Sequence, residues 1–198
     1  MSAAVAAPRL VKNEAKYNPT PLPSQEMLAL EKMSMRELDR LFMRGEMPDI
    51  DSLVGWEFRG MNGLIYMMPL GRVLGIKKFV KGFVRDEDGR VMGYNCAVRN
   101  NALDGRWNVK PKRFGFYEVA PVDPTSRDNK YLHALMLDYS KGENPITDPS
   151  AILRDYLVQL DTDLFLGKAY MAIGPLRLRS NFFFLERFRR GLTDYVKR

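Results

Sequence analysis

Among its 198 residues the chain has one histidine, His133, and one cysteine, Cys96. A lone cysteine excludes an intrachain disulfide, so no disulfide scaffold holds this fold, and a reducing compartment, the cytoplasm, is expected. With one His and one Cys there are too few ligands for a zinc-type centre, and no carboxylates fall at the spacing of a calcium loop. Long apolar runs are also missing. The longest uncharged stretch, GMNGLIYMMPLG at 60–71, falls short of the roughly 20 residues that a spanning helix needs, although it suits peripheral contact with a membrane. The opening MSAAVAAPRLVK lacks a basic region before a sufficient apolar core, so it reads as a disordered tail and not as a signal peptide. Gly71 and Gly75 lack the strand–loop–helix setting that cradles phosphate.

What is present is an ordinary globular balance with a basic surplus. A hydrophobic share of 45% is enough for one core at this length. Twelve methionines supply soft, adaptable packing. The net charge is +7, which draws anionic partners, but the basic residues are dispersed. One group is Lys77, Lys78 and Lys81; a second is Arg106, Lys110, Lys112 and Arg113; a third is Arg177, Arg179, Arg187, Arg189 and Arg190. Their interleaved aromatics fall at strand spacing, and no recognition helix or RNA-binding motif accompanies them, so nucleic acid is not an expected partner.

Three regions follow from the pattern: a flexible Pro-containing leader at 1–24, a single domain at 25–190 and a basic tail at 191–198. Pro19, Pro21 and Pro23 favour an extended leader. Ser34 and Glu37 have the spacing of a capping box; Met35, Leu38, Leu41 and Phe42 then share one helical face, and Gly45 is a stop. Strands are expected at 53–61, 77–85, 90–99, 113–119, 131–139, 152–160, 164–172 and 181–188, with Asp86-Glu87-Asp88-Gly89 as a hairpin turn. The stretch 64–74 is apolar and suits a short helix interrupted at Pro69 and Gly71. The fold class is therefore mainly β, an antiparallel barrel of about eight strands with an N-terminal helix that plugs or flanks it. In 164–172 both faces are semi-apolar, which predicts a barrel with a filled or ligand-bearing inside and a partly covered outside.

A short helix leading into Gly55-Trp56-Glu57-Phe58-Arg59-Gly60, and a meander ending in Phe184-Leu185-Glu186-Arg187, together resemble the lipocalin and fatty-acid-binding-protein-like barrels. Those families carry Gly-x-Trp on the first strand, where this chain has Gly-Trp, and an Arg late in the barrel packs over the Trp. Arg187 or Arg179 is that residue here. The segment 155–167 is similar to the closing hairpin of small bacterial lipocalin-like domains with a GxWxG-type first strand. The resemblance, over about residues 53–188, implies a closed barrel with a central cavity for a small apolar ligand.

On this reading the expected function is binding of a small hydrophobic or amphipathic ligand. Its apolar part would lie among Trp56, Phe58, Tyr117, Tyr170 and Phe184, with Tyr66, Met67 and Met68 as a lid. On 152–160, Arg154 and Tyr156 share one face and Asp155 and Gln159 the other. Arg154 or Arg187 would fix a carboxylate if it points inward; a structural latch is the other role for Trp56 with its Arg. An alternative is an isomerase or cyclase with His133 or Asp155 as acid or base; another is an interaction or structural barrel with a filled interior. No cofactor is expected, with haem on His133 as the alternative that the resemblance allows. A homo-oligomer is compatible with the pattern.

Overall fold

The computed structural model describes residues 17–65, 76–99, 102–145 and 147–192. The strands are β1 (Trp56–Ile65), β2 (Lys78–Arg85), β3 (Val91–Val98), β4 (Val109–Pro121), β5 (Leu135–Asp138), β6 (Leu153–Asp161), β7 (Leu164–Ile173) and β8 (Leu176–Arg190). Consecutive strands pair throughout, as sequence neighbours tend to, and tight turns join β2 to β3, β6 to β7 and β7 to β8. They form an antiparallel meander, and β8 pairs with β1 to close the barrel. The β2–β3 turn shows why it sits where it does. The Asp86 carboxylate accepts from the backbone N–H groups of Asp88 and Arg90, and Gly89 takes a φ of 80° that a side chain would resist.

Strand alternation divides the apolar residues into two sets. One faces inward: Phe58, Phe79, Phe83, Tyr117, Leu137, Leu157, Phe165, Phe183 and Leu185, all buried. The rings meet edge to face, Phe58 lying 5.3 Å from both Phe83 and Phe165. Space for them comes from glycine on the adjacent strand. A Cβ on Gly93 would run into the Tyr117 ring, and one on Gly167 into the Phe183 ring. An eight-stranded barrel is about wide enough to be filled by side chains or to hold one small ligand. Here aromatic rings fill much of it.

The second set faces outward and is covered by helices, which is why the strands carry apolar residues on both faces. Ser34 and Glu37 form the expected capping box on α2 (Met35–Arg44), whose Leu38 and Phe42 pack on the outer wall with Tyr156, Tyr170, Phe182 and Phe184. Thus the helix flanks the barrel. Lys168 on β7 docks it: Nζ lies 2.8 Å from Asp39 Oδ1 and 4.3 Å from the centre of the Phe42 ring. An earlier helix, α1 (Gln25–Glu31), is capped by Ser24.

Three local expectations change. Residues 131–134 form a turn closed by Ala134 N–H on Tyr131 O, and Tyr131 packs edge-on against Phe42 and Tyr156. Residues 50–53 are a helical turn, α3, because the Asp49 carboxylate caps Asp51 N–H. β8 begins at Leu176, since the tight β7–β8 turn lets pairing run to its tip. The expected short helix at 64–74 falls mostly outside the described residues, and 64–65 are the end of β1.

α3 closes the lower end, and Leu53 joins the interior there. Arg187 fastens this end. Its guanidinium lies 4.8 Å from the centre of the Trp56 ring and 5.1 Å from that of Phe58. It also donates to Asp163 Oδ1 at 2.6 Å and to Ser52 O at 2.9 Å. Arg179 instead pairs with Asp39 on the outer wall. Arg187→Ala removes a stacked cation and two charge-assisted bonds at once, so a loss of about 2–3 kcal/mol is expected in urea denaturation. Arg187→Lys restores the charge but not the planar stack and recovers only part of it; full recovery would show that charge alone matters.

Candidate functional site

The inward pattern of β2 is Phe79, Lys81, Phe83, which drives one lysine into an aromatic interior. On β3 the inward neighbour of Lys81 is Asn95, and on β6 the inward residues include Asp155. Tyr139 follows β5 on a short 3-10 turn, Tyr139–Lys141, and keeps the inward phase of Leu135 and Leu137. These four residues meet inside the barrel, with Lys81 Nζ within about 6 Å of the centres of the Phe79, Tyr117 and Phe183 rings.

Lys81 Nζ lies 3.4 Å from Asp155 Oδ2, donates to Asn95 Oδ1 at 3.1 Å and donates to Tyr139 Oη. The Tyr139 hydroxyl donates to Asp155 Oδ2 at 3.2 Å. Asn95 Nδ2 donates to Gly115 O at 2.7 Å, and the ammonium lies 4.5 Å from the centre of the Tyr117 ring. Lys81 is 2% exposed and Asp155 3%. One atom of the set has no partner: Asp155 Oδ1, which is buried. Beside the cluster the inward residues are small, Ala169 opposite Asp155 and Ala97 two positions beyond Asn95.

Burial sets the electrostatics. It pulls the Lys81 amine down to about 8, against the opposing pull of Asp155, and pushes the Asp155 carboxyl up, against Lys81 and the Tyr139 hydrogen bond. The Tyr139 phenol is driven well above its ordinary value by burial and by the Asp155 charge. Lys81 therefore binds fewer protons in the folded than in the unfolded chain between pH about 8 and 10.5, so its contribution to stability rises with pH across that window. Lys78 on the outer wall is shifted the same way, so the control is Lys81→Met. The wild-type minus K81M stability difference should widen from pH 8 to pH 10 in chemical denaturation. A flat difference would show that Lys81 titrates normally.

No family model, curated protein or solved structure matches this chain. The site therefore stands on its own geometry. Among the described residues no group of three His, Cys, Asp or Glu could hold a metal ion, and no helix is long and apolar enough to cross a membrane.

The residues singled out from the sequence divide between the two faces. Phe58, Tyr117 and Asp155 are inside. Trp56 and Arg187 form the lower latch. Tyr156, Tyr170 and Phe184 lie on the outer wall beneath the helices, where the Tyr156 hydroxyl donates to Asp128 O and the Tyr170 hydroxyl pairs with that of Tyr131 at 2.8 Å. Arg154 is on the outer face too, its Nε 3.2 Å from Asp138 Oδ1. His133 packs edge-on against Phe42, with Nε2 3.1 Å from Phe42 O, outside the barrel. Met68, with Tyr66 and Met67, lies outside the described residues. Cys96 points outward, its thiol pushed up to about 11 by burial. Lys81, Asn95 and Tyr139 are additions that the sequence reading missed. Their signal was the alternation of Phe79, Lys81 and Phe83, which sets a lysine between two inward rings.

Proposed function

We propose that the protein is a lipocalin-like binding barrel for a small, largely apolar molecule, held in the interior against the Lys81–Asp155 pair. The observation that carries this reading is the buried polar quartet with its unpaired Asp155 Oδ1. A buried ion pair contributes little to stability, and apolar residues of similar volume serve as well or better. A barrel that needed only a core would have no use for Lys81, Asn95, Tyr139 and Asp155 inside it, and perturbed charged groups inside a fold are candidates for function. The small inward residues Ala97 and Ala169 lie beside the quartet, which is where room for a ligand is proposed. The polar contact proposed is thus Asp155 with Lys81, in place of Arg154 or Arg187.

Native mass spectrometry of the purified protein, followed by extraction under denaturing conditions, tests the reading. A small-molecule adduct that disappears on unfolding is expected, together with affinity for medium-chain amphiphiles. Absence of both would leave the barrel as a filled structural or interaction module. An isomerase or cyclase reading draws on one further feature, the Tyr139 phenol held between an ammonium and a carboxylate, which is an acid–base arrangement. Under that reading Tyr139→Phe abolishes turnover of a bound substrate while sparing its binding.

A further inference from the structure

Resting on the binding reading above, we propose that the interior site takes a head group that donates a hydrogen bond, an alcohol or an amine, and discriminates against carboxylates. The donors of the quartet are already committed. Lys81 has three N–H bonds and three acceptors around it: Asn95 Oδ1, Tyr139 Oη and Asp155 Oδ2. The Tyr139 hydroxyl is spent on Asp155 Oδ2. Asn95 Nδ2 is spent on Gly115 O, with Tyr139 Oη at 3.5 Å as a second acceptor. The neighbouring Tyr117 hydroxyl is directed at Gly82 O, 3.3 Å away.

What is left over is an acceptor. Asp155 Oδ1 is buried, belongs to an inward-facing residue and meets no donor among the described residues. A buried carboxylate oxygen without a donor is costly, and a ligand O–H or N–H placed on it removes that cost. A carboxylate ligand has the opposite fit: it finds no free donor in the cluster and sets a second negative charge beside Asp155. The basic surplus of the chain as a whole therefore misleads about the site, where the unsatisfied group is an anion.

Binding of 1-octanol, octylamine, octanoate and octane to the full chain, by titration calorimetry, tests this. The alcohol and the amine are expected to bind at least about tenfold more tightly than octanoate, and more tightly than octane. In Asp155→Asn the spare oxygen gives way to a carboxamide N–H and the Lys81 charge is no longer balanced, so the preference shifts several-fold toward octanoate. Octanoate binding the wild type as well as octanol does, or octane matching octanol, overturns the head-group assignment while the binding reading stands. An unchanged ratio in a folded Asp155→Asn variant overturns it too. If that variant does not fold, the wild-type ratio decides alone. Failure of all four probes to bind overturns the binding reading and this assignment with it.

Discussion

Replacing Arg59 with alanine is expected to cost about 3–5 kcal/mol, the range for removing one partner of a buried ion pair. Arg59 lies on the outward face of β1 and is fully buried. Its guanidinium donates to Asn18 O and Thr20 O, each at 2.6 Å, and to Leu22 O. Nε faces Glu186 Oε2 at 3.0 Å, off the line of a hydrogen bond, so that contact is one of charge. The Phe188 ring closes over it at 4.4 Å. Glu186 in turn accepts from the backbone N–H of Ser24, the cap of α1. One side chain thus ties the leader, the helix that follows and the wall together, while the backbone N–H of Trp107 donates to Pro21 O at 2.8 Å. Without Arg59, three carbonyls lose their donor and Glu186 is left buried without its cation.

Urea denaturation measures that cost, and limited proteolysis around residues 17–24 reads where it falls. Cleavage there should accelerate in Arg59→Ala beyond what global unfolding accounts for. Arg59→Lys keeps the charge but cannot reach three carbonyls as a planar fork does, so it should restore Glu186 and leave the strap loose. A strap as protected in Arg59→Lys as in the wild type would show that the proline-rich segment holds its place without the fork.

Much of the barrel was readable because its cause is local. Gly89 after three acidic residues predicts a hairpin turn, Ser34 with Glu37 a helix start, and alternation a wall with two faces. Each depends on residues a few positions apart, and each reappears in the structure. The site is less legible because it joins strands that are not neighbours. Lys81 on β2 and Asp155 on β6 meet across the interior, and no spacing in the sequence encodes a contact through the middle of a barrel. The inward phase of 152–160 was equally open in the sequence, since Arg154 with Tyr156 and Asp155 with Gln159 are both mixed sets. Packing decided it: Tyr156 has the Tyr131 ring to lie against outside, which turns Asp155 in. Arg59 could not be foreseen at all. Its hydrogen-bond partners are backbone carbonyls, which carry no side-chain signature, and its charge partner Glu186 lies on a strand far along the chain.

Lys81→Met should be as damaging as Arg59→Ala, at about 3–5 kcal/mol near neutral pH, because it strands Asp155 among aromatic rings. The sign of its pH dependence identifies the cause. Burial already raises the Asp155 carboxyl, and losing the ammonium raises it further, so the folded variant binds a proton that the unfolded chain releases near pH 4. The K81M penalty is therefore smallest in acid and grows as pH rises from about 4 towards 7. The double variant Lys81→Met/Asp155→Val removes both charges. Asn95 Oδ1 loses one partner and the Tyr139 hydroxyl two, at roughly 1 kcal/mol apiece, but no buried charge remains, and the double variant should lie within about 3 kcal/mol of the wild type. The cycle is thus strongly non-additive, with the second substitution rescuing the first. If the penalties simply add, Lys81 and Asp155 each stabilise the barrel independently of the other, and the case for a functional role weakens. If the double variant folds as well as the wild type yet no longer carries the wild-type adduct in native mass spectrometry, the four polar residues serve the ligand and not the core.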